Sequence, residues 1–514
     1  MQVFTILLFL LATGLAAVSP VPAATGSAEL VIAKPFGPSV AFPDPARGYN
    51  GWYTSEAGVT QTLFALDFDM NLVPLLAESA RNVDPRNWAI RLRRGIRFHD
   101  NSPMDAHAVK ASFLRIIDPD SPVFNKRLQG LLDIDSIRVV DDHTLIFVTR
   151  NPNSAFLSAL SAPGTAIVKL DAERKVLYGT GPFVLDRTIP GEEMVVSRFA
   201  GYWGETARLA RVYLKTVRSP ATRMLAFASG QVDMVLNYPD RDAARLGSRN
   251  DVQVMVAPTV RLCFFFVRVA DGLLADPRIR RAINLAIDRR QIVDTVLAGV
   301  GGEPASTLFP RTLPWSNRSL APYPFDPAKA GRLLAEAGAV DSNGDGILEI
   351  NGHPLHLEMW TYEGRAALKP TLELVQVQLQ RVGIGSSLHI TRKASPINQA
   401  MRQGRADLGL QMWNAAPQGD PDYFISRLFT STGGANFMGY HNREVDELVK
   451  MGRTTFDGDK RKKIYDRIQE IIRNDSPVIV LFHKSMITVA SAAVQNYRIH
   501  PAEKYLLSPL LDRR

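Results

Sequence analysis

Residues 276–297 read DPRIRRAINLAIDRRQIVDTVL, and Ile279, Ile283, Ala286 and Ile287 recur in it at the spacing of one helix face. The spacing predicts an amphipathic helix over 276–297 whose stripe faces a core. The apolar run LCFFFV at 262–267 precedes it. The same alternation of strand-like runs and striped helices extends in both directions: Val109, Phe113, Ile116 and Ile117 in 105–117; Leu372, Val375, Leu379 and Val382; Ile464, Ile468, Ile471 and Ile472 in 460–473. Strands alternating with helices predict an α/β protein. The stripes themselves carry no chemistry.

A chain of 514 residues needs more than one core. Turn-rich segments at 179–182, 257–259, 303–327 and 415–421 divide it without a low-complexity linker. Such punctuation suits lobes joined by several crossing strands, with hinge closure as the expected motion. The apolar run 3–18, followed by Pro and Ala residues to Ala24, reads as a secretory signal over 1–24, although no Lys or Arg precedes Lys34. Cys263 is the single cysteine, so no intrachain disulfide is possible; its apolar setting predicts a buried thiol. No lipidation cysteine follows the signal, which predicts a free periplasmic protein.

The formal charge of +9 is spread along the chain, and its basic clusters read as solvated faces; no nucleic-acid partner is expected. No GxSxG elbow, Walker loop or dinucleotide fingerprint occurs, and no enzyme is read from the chain. The nine histidines are scattered and form no ligand pair with a matched carboxylate, and His353 and His356 read as surface residues. No cofactor and no protein-held metal is expected. Asp341, Asn343, Asp345, Gly346 and Glu349 resemble half a calcium loop, but Gly352 stands where a bidentate Glu is required, so a hairpin turn is the preferred reading.

Residues 411–442, QMWNAAPQGDPDYFISRLFTSTGGANFMGYHN, mix aromatics, amides and turn formers with few charges, as a ligand-pocket wall does; a loop packed with aromatics is the other reading. Trp413, Asn414, Arg427, Asn436 and Tyr440 are the candidate contacts. Arg427 reads equally as a structural ion-pair partner. Tyr53, with Tyr49 and Trp52, is the candidate from the opposite side, with packing as its alternative.

Leu75-Leu76-Ala77-Glu78-Ser79, residues 91–109, Gly179-Thr180-Gly181-Pro182-Phe183, Tyr202-Trp203-Gly204, Ser229-Gly230-Gln231-Val232-Asp233, residues 276–282 and Phe325-Asp326-Pro327-Ala328-Lys329-Ala330 follow one another along the chain. In their order and spacing they resemble the extracytoplasmic solute-binding proteins of ABC importers in the peptide, nickel and opine family, family 5. The resemblance implies a two-lobed periplasmic-binding-protein fold of the cluster C type with an extra subdomain. Lobe I is expected over 25–50, 175–257 and 490–514, the subdomain over 51–174 and lobe II over 258–489. It further implies a monomer that hands a small ligand to an inner-membrane permease with ATPase subunits. Gly179 and Gly181 are then turn residues, and Arg280 a partner of a carboxylate.

In peptide-binding relatives the loop after the Trp equivalent to Trp413 carries an Asp for the ligand ammonium; here that position falls near Ala416. The resemblance therefore implies a peptide-like or opine-like anion or its nickel chelate. Di- and oligopeptides remain the alternative, and an exported hydrolase using Asp420 is the alternative of another class. The histidine of nickel-chelate binders has no counterpart in 428–436, and Arg115, loosely aligned with a carboxylate-holding arginine, is expected to face solvent.

Overall fold

The computed structural model describes residues 28–514 except 172, 174–176, 247 and 248; the signal expected over 1–24 lies outside them. Among the described residues no helix is long and apolar enough to cross a membrane.

Two strands organise the molecule. Val252–Val267 and Val478–Ser491 pair antiparallel along most of their length, with irregularities at Pro258/Arg261 and Cys263/Phe264. A strand of 16 residues spans roughly 50 Å at about 3.3 Å per residue, enough to run through two cores in succession. On one flank the sheet continues through Met234–Leu236, Glu29–Lys34, Arg211–Thr216, Glu193–Arg198 and Phe183–Ile189; on the other it continues through Leu408–Asn414, His356–Tyr362 and Gly385–Thr391. Gly302–Pro304 also pairs with the second long strand.

The run LCFFFV explains itself in this setting. Leu262, Phe264 and Phe266 enter the core that holds the 411–442 stretch, and Cys263, Phe265 and Val267 enter the core beneath the 276–297 helices. A strand covered on both faces reads as a continuous apolar run. Cys263 is fully buried, and burial pushes its thiol pKa up.

A separate four-stranded antiparallel sheet, in the order Ala77–Asp84, Asn87–Leu92, Thr144–Thr149 and Ile134–Asp141, packs on the helix Ala106–Ile117 around Ile90, Val109, Phe113 and Phe147. The Asp105 carboxylate accepts from Ala108 N at 2.8 Å and opens that helix.

Residues 276–297 are two helices, not one. Pro277–Ala286 ends as Ile287 turns extended, and Asp288 caps Arg289–Val296 by accepting from Gln291 N at 2.9 Å. Ile279, Ile283, Ala286 and Ile287 are nevertheless all buried in one core. Arg280 bonds three backbone carbonyls, of Leu274, Ala275 and Asp475, and among the described residues no carboxylate forms a hydrogen bond or ion pair with it. Gly179 and Gly181 are required by close approach, not by a turn conformation: a Cβ on either would lie 2.0 Å from a backbone oxygen, Val59 O or Gly58 O. Residues 341–349 form a turn in which Asp341 accepts from Gly344 N and Gly346 N, and Glu349 from Ser342 N.

Candidate functional site

The strand Leu408–Asn414 runs beside the long strand so that Asn414 stands opposite Arg261 and Trp413 opposite Leu262. Asn414 and Trp413 are half-buried at its end. The Trp413 ring meets Phe266 edge-on at 5.5 Å, and its Nε1 donates to Gln411 Oε1 at 2.8 Å. Asn414 Oδ1 and Gln418 Oε1 are buried without a hydrogen-bond partner. An orphaned buried acceptor costs stability unless something supplies a donor, which keeps both amides as candidate contacts.

Arg427, on the helix Asp422–Phe429, lies with its guanidinium carbon 5.9 Å from the Trp413 ring centre and 5.0 Å from that of Tyr423, and it donates to Tyr423 Oη at 2.7 Å. Among the described residues no carboxylate pairs with it. Trp413, Asn414 and Arg427 are thus brought together. Asn436 and Tyr440 are not available in the same way. Asn436 Nδ2 donates to Thr430 O and Tyr440 O while its Oδ1 accepts from Tyr440 N, a brace of its own loop; Tyr440 is buried and its hydroxyl donates to Asp475 at 2.5 Å. Burial and the neighbouring Asp475 push the Tyr440 pKa up.

Tyr53 lies on the helix Asn50–Glu56, where Lys34 Nζ sits 5.2 Å from its ring centre; burial raises its pKa to about 12. Lys34 also pairs with Glu56. Glu56 in turn senses Glu503 and Arg261, and Arg261 holds both Glu503 oxygens through one guanidinium edge, Nε donating to Oε1 at 3.0 Å and Nη2 to Oε2. These pairs, with Asn414 standing opposite Arg261 in the sheet, form one run of neighbouring side chains from Tyr53 to Asn414. Burial raises the Glu503 carboxyl, but Arg261 outweighs it and holds the pKa below the usual carboxylate value.

Arg365 lies next to this run of charges. It follows the strand His356–Tyr362, stands beside Tyr362, and lies 5.7 Å from the Phe36 ring centre. Burial, with Arg261 next, lowers its pKa, while Tyr362 and Glu503 oppose the shift. Glu503 is committed to Arg261, and among the described residues no carboxylate forms an ion pair with Arg365. Composition hid this residue: nothing near Arg365 in the chain marks it, and its neighbours Phe36, Arg261 and Glu503 come from three distant segments.

Asp420 is not free to act as an acid. It accepts from Arg461 Nη1 and Nη2 at 2.6 and 2.9 Å, both side chains being buried. Arg115, expected at the surface, is instead mostly buried and paired with Asp44, leaving its Nε and Nη1 without partners. Ala416 is fully buried and offers no charge.

Aromatic and charged side chains thus gather where the two long crossing strands meet the end of Leu408–Asn414. The family described as bacterial extracellular solute-binding proteins, family 5 Middle, matches residues 71–436, and the chain belongs to it. The glutathione-binding protein GsiB of Salmonella choleraesuis is 28% identical over 458 residues, 86% of each chain. Among solved structures, NikA from Brucella suis in complex with Fe(III)-EDTA superposes with a TM-score of 0.85 at 25% identity, covering 95% of this chain and 100% of that one. A nickel ABC transporter protein from Bacillus halodurans gives 0.78 at 27% identity, over 94% and 99%. The fold is therefore the two-lobed one that the resemblance implied.

Proposed function

We propose that this protein is the periplasmic solute-binding component of an ABC importer, a monomer that captures a small peptide-like, opine-like or chelate anion and presents it to an inner-membrane permease with cytoplasmic ATPases. Lobe I over 25–50, 175–257 and 490–514, the subdomain over 51–174 and lobe II over 258–489 are the units that close. The observation that supports an anion is Arg365, a half-buried guanidinium beside the Arg261–Glu503 pair that, among the described residues, has no ion-pair partner of its own. A ligand carboxylate supplies that partner through charge-assisted hydrogen bonds, and Arg427 offers a second cation beside Trp413. Asn414 and Gln418 supply acceptors for ligand N–H groups, and Trp413 and Tyr53 supply apolar faces.

Similarity to a glutathione-binding protein and to nickel-importer proteins supports ligands rich in carboxylates. A metal, if carried, is cargo held by its chelator. Free di- and oligopeptides fit less well, because an ammonium group needs an acid that Ala416 does not provide and Glu56 is taken by Lys34. The hydrolase reading loses its acid to Arg461.

The test begins with native mass spectrometry of protein taken from its own periplasm. Calorimetric titration with glutathione and with nickel plus histidine follows. Arg365→Ala is expected to weaken binding of the recovered ligand by about 2–5 kcal/mol, the usual loss when one partner of a buried charge pair is removed. A variant that binds as tightly as the parent sinks the anion reading.

A further inference from the structure

The subdomain that carries the four-stranded sheet reaches the wing that holds 411–442 at several places, through Leu66 and Met70 beside Gly419 and through Arg127, which donates to Tyr423 Oη at 3.3 Å; the turn at 153–155 is a further crossing. The turn before the helix Phe156–Ala159 is preset by Asn153, whose Oδ1 accepts from Ala155 N and whose backbone O accepts from Phe156 N. It presents Ser154 to the C-terminus of the helix Arg443–Thr454. Ser154 Oγ donates to Gly452 O and Ser154 N to Arg453 O, each at 2.8 Å. The last carbonyls of a helix have no partners within it. Local hydroxyls of Thr454 and Thr455 reach Lys450 O and Met451 O, but neither reaches Gly452 O or Arg453 O. Ser154 therefore caps this helix from another part of the molecule.

Two further features mark the contact. Phe456, just past the helix and 39% exposed, sets its ring 6.0 Å from that of Trp88 in the four-stranded sheet. Gly452 O also accepts from Arg461 Nε at 3.0 Å, and the same Arg461 holds Asp420 in the ligand loop. One guanidinium thus connects the capped carbonyl to the loop that follows Trp413.

We propose that the Ser154 turn is a closure latch. Its docking on Gly452 and Arg453, with Phe456 against Trp88, holds the four-stranded unit onto the opposite wing and prolongs ligand retention without touching ligand. This inference rests on the reading that the lobes close over a ligand, yet its test needs none. Cys263 is buried and spares the thiol chemistry, so spin labels are placed at Arg138→Cys and Lys450→Cys, both exposed and one on each side of the contact.

In the full chain with Ser154 and Phe456 intact, electron–electron distance measurement is expected to show a dominant short-distance population. Ser154→Ala with Phe456→Ser is expected to lower the ratio of short to long distances by about tenfold, because the pair of substitutions removes one hydrogen bond and one aromatic ring pair. Each single substitution should shift it part of the way. Both side chains are at the surface of their units, and an unchanged melting profile of the four-stranded sheet in each variant verifies folding. A parent already at the long distance, or a double variant with the parent's distribution, overturns the latch. Failure to find any anionic ligand would overturn the binding reading and leave this measurement standing.

Discussion

Asp420 illustrates how a residue's role is decided by what reaches it. Its two oxygens each accept from Arg461, whose guanidinium also lies 5.0 Å from the ring centres of Trp315 and Tyr465. Breaking a buried pair leaves an uncompensated charge, so Asp420→Ala is expected to destabilise the fold by about 3–5 kcal/mol, read as a lower urea midpoint. An Asp420→Ala protein as stable as its parent would make Asp420 a candidate reactive acid again. The same consideration separates the residues that were legible in the chain from those that were not. Trp413, Asn414 and Arg427 stood out because an aromatic, an amide and a cation fall together in a turn-rich stretch. Asn436 and Tyr440 carry the same groups in the same stretch, but their partners are Thr430, Asp475 and each other. No local pattern distinguishes an amide aimed at a guest from one aimed at its own backbone. Arg365 was missed for the converse reason.

Among the elements, the helical stripe over 276–297 was legible and its break was not. Both helices lie over one core, so Ile287 stays buried after the backbone leaves the helix. Periodicity reports which face is covered; it does not report where the chain bends. The break is held by Asp288, whose carboxylate caps the second helix while its backbone N donates to Gln378 Oε1 at 3.2 Å. Asp288→Ala is expected to cost about 1 kcal/mol, and Asp288→Ser to recover most of it, since serine caps nearly as well. Equal denaturation midpoints for Asp288→Ala and the parent would mean that packing alone sets the bend. Strand content was similarly legible in LCFFFV, whereas the length of the strand that contains it was obscured by Pro258 and the irregularity beside it.

At the scale of the whole molecule, the α/β class and the paired wings were readable from alternation and motif order, but the charges buried between the wings were not. His353 and His356 are exposed as expected, while three other histidines are buried. Burial lowers His99 to about 4, His483 to about 3 and His500 to about 4. At His500, Nδ1 accepts from Ala502 N at 3.1 Å while Nε2 faces Leu66 O and Asp67 O, so a second proton would confront a backbone N–H; Lys504 nearby opposes the charge and Asp67 favours it. His99 repeats the arrangement with Gly179 N and Gly181 O. A folded pKa below the ordinary 6.5 means that the unfolded chain binds more protons between the two values, so stability must fall as pH drops through that window. Lys504, lowered to about 7 by burial, acts in a higher window: its cost is complete below pH 7 and is relieved as pH rises toward 10.5. Between pH 6.5 and 4.5 the histidines therefore dominate, each contributing a slope of up to ~1.4 kcal/mol per pH unit. Urea midpoints across that range are expected to fall, and His500→Gln, which keeps a neutral donor and acceptor, should flatten the slope by close to one proton. A His500→Gln slope identical to the parent's would mean that the imidazole is already solvated and that the segment tying residues 66 and 67 to the hinge is open in solution.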